Sequence, residues 1–173
     1  MNNIMYELIV IGGGISSCTF ISNLLKKGFK GKIAIIETGR NLGGRCSSRI
    51  SKKNSGWILN HGSPNFNIVN NSNDLKLNNF LSELLEENII KKDNSLLIEL
   101  DKNLNYSNNI RNEFCTGNIY SCTSYMGDLA NQILKLNNKR KQVDFYFQEL
   151  IINLTFHNNN CLLYTSDAAD DRV

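Results

Sequence analysis

The sequence predicts an α/β domain built on a parallel βαβ unit, and three observations near its start predict it. A short apolar run, Tyr6 to Ile11, ends in Gly12-Gly13-Gly14. A helical pattern fills Ile15 to Lys27, and a β-branched run, Lys32 to Ile36, closes on Glu37. The first run, apolar and ending in glycines, suits a strand buried on both faces, and the second reads as a further strand. Strand, glycine turn, helix and strand within about thirty residues make one βαβ unit, with a right-handed crossover as the default.

The elements follow in order. The first helix draws its apolar positions from Ile15, Phe20, Ile21, Leu24 and Leu25 and has Gly28 near its end. From Glu37 to about Asn73 the chain reads as irregular, interrupted by a short strand at Trp57 to Leu59. Loops of that length in compact domains are functional or disordered. The GGR and NHG clusters within it favour function. Leu77, Phe80, Leu81, Leu84 and Leu85 recur at helical spacing, with Asn73 or Asp74 as the cap. Leu96 to Leu100 is apolar enough for a strand. Met126, Leu129, Ala130, Ile133 and Leu134 repeat the helical spacing, and Asn137 or Asn138 can end that helix. Val143 to Phe147 and Ile151 to Phe156 read as two further strands. Residues 1–160 are thus expected to form the N-terminal part of a nucleotide-binding domain, with a helical insertion at about 67–137.

Composition narrows the function classes. A chain of 173 residues that is 41% hydrophobic and 20% charged has room for one globular core and shows no sign of disorder. Its formal charge of +3 is scattered, without the basic-aromatic interleaving that tracks a phosphate backbone, so no nucleic-acid partner is expected. The start, MNNIMYELIVIGGG, lacks a basic leader region and an apolar stretch long enough to span a bilayer. A cytoplasmic protein with no membrane span is the expectation. Cys18, Cys46, Cys115, Cys122 and Cys161 form no C-x-x-C pair and have no histidine at zinc spacing, so no metal site and mainly structural thiols are expected.

The last segment, CLLYTSDAADDRV, departs from the Asn/Lys/Ile character of the rest. One back-translation of Cys161 to Asp170, TGT CTC TTA TAC ACA TCT GAC GCT GCC GAC, looks like a transposon-end sequencing adapter read in frame. Residues 161–173 are therefore expected to be non-native and the domain C-terminally truncated.

The chemistry begins at IGGGISSC. Gly12 permits a tight strand-to-helix turn, and Gly14, lacking a Cβ, lets backbone approach a pyrophosphate. The amides of Ile15 and Ser16 at the helix start then face the anion, aided by the helix dipole. Ser17 stands where a third glycine serves helix–strand packing, which loosens that packing and leaves phosphate binding intact. Glu37 ends the next strand about twenty residues on, where a carboxylate accepts from both ribose hydroxyls and repels a 2′-phosphate. At this point the nucleotide is either NAD or FAD.

Glu37 followed by Gly43-Gly44-Arg45, with Arg40 between, resembles the signature of the flavin amine oxidase superfamily, which includes monoamine oxidases, phytoene-desaturase-like enzymes and renalases. The stretch E-x-G-R-x-x-G-G-R resembles the renalase-like variant. The resemblance implies an FAD-binding Rossmann-like domain of the glutathione-reductase type. It implies that the glycine pair passes beside the FAD pyrophosphate and that Arg45 helps to hold it, a guanidinium bonding phosphates with more geometric specificity than an ammonium. Asn60-His61-Gly62-Ser63-Pro64 resembles the D-x-G-A-Q-Y-F segment near the flavin, with Gly62 and Phe66 agreeing and Asn60, Ser63, Pro64 and Asn65 departing. Near Leu150 the strand order of that family implies an adenine contact. Cofactor candidates are thus Gly12, Gly14, Ile15, Ser16, Glu37, Arg40, Gly44, Arg45, His61, Gly62 and Leu150.

Several residues keep two readings. His61 is a cofactor or substrate contact, or contributes backbone alone, since no paired base or nucleophile accompanies it. Cys46 is a reactive thiol if Arg45 lowers its pKa, or a buried structural one. Trp57 is core or wall, or stacks on the flavin. Arg49 is a second phosphate partner or a solvated charge. No catalytic residue is assigned. The implied activity is hydride transfer from a small-molecule substrate, an amine or a reduced nicotinamide-like compound, to FAD. The alternatives are an inert nucleotide-binding fragment and an NAD-binding protein of the simpler type.

Overall fold

The computed structural model describes residues 5–51, 53, 56–68, 73–93, 99–107, 117–136, 140–157 and 160–167. Strand β1 (Leu8–Ile11), helix α1 (Ile15–Lys26), β2 (Ile33–Glu37) and a later strand, β10 (Val143–Phe147), form the parallel layer. The sheet order is β1-β2-β10, with Leu8 opposite Ile33 and Val143 opposite Ile33 on the other side. β2 is central, so Ile33 to Ile36 are all buried. β1 is not buried on both faces. Among the described residues it pairs with β2 alone, and Ile11 is 58% exposed.

α1 packs on this sheet through Cys18, Ile21, Ser22 and Leu25, a stripe at i, i+3, i+4 and i+7. Phe20, expected on that stripe, is instead 51% exposed, because it lies about 100° around the axis from Ile21. Ile21, Leu25, Ile33 and Ile35 are fully buried in one cluster with Cys18, Leu42, Ala130, Leu134 and Val143. Each large side chain removed from water here contributes roughly 1.5–3 kcal/mol.

A second layer arises between these strands in sequence. Strands β5 (Phe66–Ile68), β6 (Ile90–Asp93) and β9 (Asn118–Cys122) form an antiparallel sheet in the order β5-β9-β6. Helix α2 (Leu75–Glu86) packs Leu81 and Leu84 against it, while Leu85 is 40% exposed. Asp74, the cap, accepts from the amides of Lys76 at 2.9 Å and Leu77 at 3.3 Å. The segment expected to be helical thus carries a sheet of its own. Strands as short and polar as Lys91–Asp93 give no periodic signal, because what stabilises them is pairing with residues far away in sequence.

Helix α3 (Leu129–Lys135), entered through a 3-10 turn at Met126–Asp128, joins the two layers. Ala130 and Leu134 belong to the parallel-sheet core, and Met126, Leu129 and Ile133 to the antiparallel one. Its expected end at Asn137 or Asn138 lies outside the described residues. Two small ribbons complete the chain: β3 (Arg49–Ile50) with β4 (Ile58–Leu59), and β7 (Glu99–Leu100) with β8 (Tyr106–Ser107). The rest of the expected strand at Leu96 to Leu100 lies outside the described residues. Trp57, expected in core or wall, is 72% exposed, since no layer covers the β3–β4 ribbon there. Finally β11 (Glu149–His157) pairs antiparallel with β12 (Asn160–Asp167).

Candidate nucleotide site at the glycine turn

The turn between β1 and α1 is shaped by its three glycines in different ways. Gly12 has φ +89°, a left-handed conformation that costs glycine little, and its amide donates to the Ile36 carbonyl at 2.8 Å. Gly14 is the N-cap of α1 in extended conformation, φ −78° and ψ 177°. Without a side chain it leaves the first-turn amides, those of Ile15 and Ser16 among them, to be satisfied from outside the helix. A Cβ at Gly12 or Gly14 would meet nothing within 4 Å. The space that an anion needs in front of the helix tip is therefore open.

Gly13 is the glycine that the sequence reading passed over, and it is the tightest. A Cβ there would lie 2.5 Å from Leu42 Cδ2 and 3.3 Å from Glu37 Oε2. The closeness has a cause: Glu37 Oε2 accepts from the Gly13 amide at 2.6 Å. Its other oxygen, Oε1, accepts from the Gly39 amide at 2.6 Å and from the Thr38 hydroxyl at 3.3 Å. The acid thus reaches the turn directly. Because a carboxylate offers about four acceptor positions and three are taken, capacity remains for one ligand hydroxyl. Ser17, read as the packing position, is half-buried. Beneath the turn sits Cys18, fully buried, with Sγ 3.8 Å from the Gly13 carbonyl.

The Gly43-Gly44-Arg45 segment docks across this turn. Gly43 donates to the Gly13 carbonyl at 2.9 Å, and a Cβ at Gly44 would lie 3.2 Å from Gly14 Cα. Both glycines have positive φ, +133° and +54°, which this approach requires. The 60–63 segment locks on in turn: Gly62 donates to the Ser47 carbonyl at 3.1 Å and Ser63 to the Arg45 carbonyl at 2.8 Å. A Cβ at Gly62 would overlap the Arg45 carbonyl oxygen, so the place of Gly62 is a backbone crossing.

Next to this assembly, where β2 and β10 end, lies a cavity of about 980 Å³. Ligand cavities in parallel sheets sit at that end of the strands. Of the expected residues, Glu37, Arg40, Gly44 and His61 line it, and so does Arg49. Gly12, Gly14, Ile15, Ser16, Arg45, Gly62 and Leu150 do not; Leu150 is 47% exposed at the start of β11. Ser48, Tyr125, Gly127, Asp128, Asn131 and Phe147 are among the other lining residues, and no local motif marks them in sequence. Gln148, left-handed at φ +63°, donates to the Gly39 carbonyl at 3.0 Å and so ties the end of β10 to the loop after β2.

The electrostatics of the wall are set by burial. Burial raises the Tyr125 phenol above its ordinary range, with Asp128 and Cys122 adding to the effect. Asp128 accepts from Asn131 at 2.8 Å, Gln132 at 2.7 Å and Ser124 at 3.2 Å. Burial also pushes the Cys46 thiol up, and Arg45 beside it only partly offsets this, which favours the structural reading of Cys46. Among the described residues no group of three or more His, Cys, Asp or Glu is placed to hold a metal ion. No helix among them is long and apolar enough to cross a membrane.

Comparison with known proteins agrees with this geometry. A family described as an NAD(P)-binding Rossmann-like domain matches residues 10–84, less than half of the chain. The fold is Rossmann-like. Among solved structures, tetracycline destructase Tet(51) is similar with TM-score 0.56 and 17% identity, over 95% of this chain and 35% of its own. A putative protoporphyrinogen oxidase from Exiguobacterium sp. 255-15 gives TM-score 0.60 and 11% identity, over 91% of this chain and 56% of its own. PqsL from P. aeruginosa, solved in complex with 2-aminobenzoylacetate, gives TM-score 0.50 and 13% identity, over 94% and 39%. No curated protein matches the sequence. The chain spans between about a third and just over half of the structures named here.

Proposed function

We propose that this chain is the nucleotide-binding part of an FAD-dependent oxidoreductase of the amine oxidase/renalase-like group. Its substrate is a small molecule, an amine or a reduced nicotinamide-like compound. The observation that carries the reading is the second glycine turn docked on the first, Gly43 amide to Gly13 carbonyl at 2.9 Å, beside a carboxylate 2.6 Å from the Gly13 amide. A simple NAD-binding turn has no need of the second element.

The residues present fit a dinucleotide. Open space at Gly14 admits a diphosphate to the amides of Ile15 and Ser16. Glu37 would accept from a ribose hydroxyl with its remaining acceptor position and disfavours a 2′-phosphate. Arg40 and Arg45 supply charge-assisted bonds to phosphate, and His61 with the backbone at Gly62 would lie toward the flavin. Leu150 remains the adenine contact that the resemblance implies. FAD would supply the redox chemistry, taking a hydride from a substrate C–H or N–H bond; the chain's part is binding, orientation and exclusion of water.

A second reading, an NAD-binding protein of the simpler type, is favoured by the family match over residues 10–84. Thermal shifts with FAD and NAD added separately test both. Ligand at a hundred times Kd stabilises by about 2.7 kcal/mol, a clear shift. FAD should stabilise the protein and Arg45→Ala should weaken FAD binding selectively. A shift with NAD alone would put the second reading in place of the first. Nucleotide binding without turnover of amines or reduced nicotinamides would fit the third reading, an inert fragment. The proposal that residues 161–173 are non-native is lost if adapter-free resequencing of the locus still encodes them.

A further inference from the structure

We infer that Ser48 and Asn60 are positioning residues, a polar clasp that fastens the turn leading into α3 to the segments just after Arg45 and just before His61, and thereby holds this wall of the cavity in shape. The clasp joins three segments distant in sequence. The Gly127 amide donates to Ser48 Oγ at 2.9 Å, Ser48 Oγ donates to Asn60 Oδ1 at 2.6 Å, and the Met126 amide donates to the same Oδ1 at 3.3 Å. Both amides belong to the 3-10 turn that leads into α3; Gly127 and Asp128 of that turn, Asn131 of α3 and Ser48 itself line the cavity.

The choice of residue types follows from the geometry. A hydroxyl both donates and accepts, and Ser48 uses both capacities at once. Asn60 acts through its carbonyl oxygen alone within the clasp, so an aspartate serves equally there. Packing leaves little slack: a Cβ at Gly127 would lie 2.8 Å from the Ser48 amide nitrogen, and one at Gly43 would lie 3.1 Å from the Gly127 carbonyl. Removing the Ser48 hydroxyl leaves the Gly127 amide without its acceptor in a half-buried place, and the turn can regain one only by moving. Displacement of that turn carries Gly127, Asp128 and Asn131 with it, and so changes the shape of the cavity they line.

The functional part of this inference rests on the nucleotide reading above; the geometric part does not. The test uses the full chain and the variants Ser48→Ala, Ser48→Thr and Asn60→Asp. Hydrogen exchange at Met126 and Gly127 reads the clasp, and FAD affinity reads its consequence. Affinity is measured well below the melting transition, where a mere loss of global stability leaves it unmoved. Ser48→Ala should exchange faster at both amides and bind FAD roughly tenfold more weakly. Ser48→Thr and Asn60→Asp should behave as wild type in both. Unchanged exchange in Ser48→Ala overturns the clasp. Faster exchange with unchanged FAD affinity overturns the positioning role. If wild type binds no FAD, the nucleotide reading and the positioning role fall together, and the exchange data alone decide the clasp. Asn60→Ala, at a residue that does not line the cavity, leaves the Gly127 to Ser48 bond in place and is read by exchange at Met126 and by FAD affinity. Both should change as in Ser48→Ala, and this variant also decides the matter should Ser48→Ala not fold.

Discussion

Substituting alanine at Gly13 and at Gly14 should separate stability from binding within one turn. At Gly13 the new methyl would sit 2.5 Å from Leu42 Cδ2 and 3.3 Å from Glu37 Oε2. Leu42 is 6% exposed and packed in the parallel-sheet core, so relieving the clash means disturbing that packing by moving its side chain toward the cavity it also lines. Overpacking of that kind costs about 1–3 kcal/mol, offset by about 0.4–1 kcal/mol from the stiffer unfolded chain, for a net loss near 1–2 kcal/mol. In a domain of this size that lowers Tm by about 2–4 °C per kcal/mol. At Gly14 the methyl meets nothing within 4 Å, and the backbone is extended. Stability should hold or rise by the chain term alone, while dinucleotide affinity falls at least about tenfold because the methyl occupies the diphosphate's approach. Urea melts and FAD titrations of the two variants make the measurement. A Gly14→Ala protein that binds FAD like wild type would falsify the placement of the diphosphate. A Gly13→Ala protein as stable as wild type would refute the packing argument. Leu42→Ala should cost less in the Gly13→Ala background than alone, since the methyl fills part of the space it vacates.

Other consequences are simpler to check. Gly62→Ala should destabilise by more than about 2 kcal/mol in a denaturant melt, because the methyl collides with the Arg45 backbone and no rotamer relieves it. Asp74→Ala should cost about 1 kcal/mol through loss of the α2 cap and leave nucleotide binding untouched. Cys46 should alkylate only at higher pH than an ordinary thiol. Its folded-state pKa is raised, so the stability it contributes is full below the ordinary thiol pKa and declines as pH climbs through the folded value. A Cys46 alkylation profile centred at or below the free-thiol value would contradict the burial that sets it.

What was legible in the sequence was whatever local periodicity and backbone chemistry encode. The β-branched run of β2 pairs as a strand, the apolar positions of α3 are all buried, and Asp74 caps α2. Long-range pairing was not legible. β5, β6 and β9 are too short to carry a pattern, and Phe20 and Trp57 look like core residues until the packing layers are known. Of the residues lining the cavity, Glu37, Arg40, Gly44 and His61 are also candidates by spacing or resemblance. Tyr125, Asp128, Asn131 and Phe147 reach the cavity only because α3 and β10 fold back to it.

Sequence alone determined the βαβ unit, since apolar period, glycine and a terminal acid act within a few residues of one another. The tertiary structure decided which glycine is constrained. Gly12 and Gly14 announce themselves by spacing, yet Gly13 is the one held between Leu42 and Glu37, because steric exclusion depends on what the rest of the chain brings near. Tertiary contacts likewise joined residues 43–48, 60–63 and 126–128 into one wall, by hydrogen bonds whose partners no spacing rule connects.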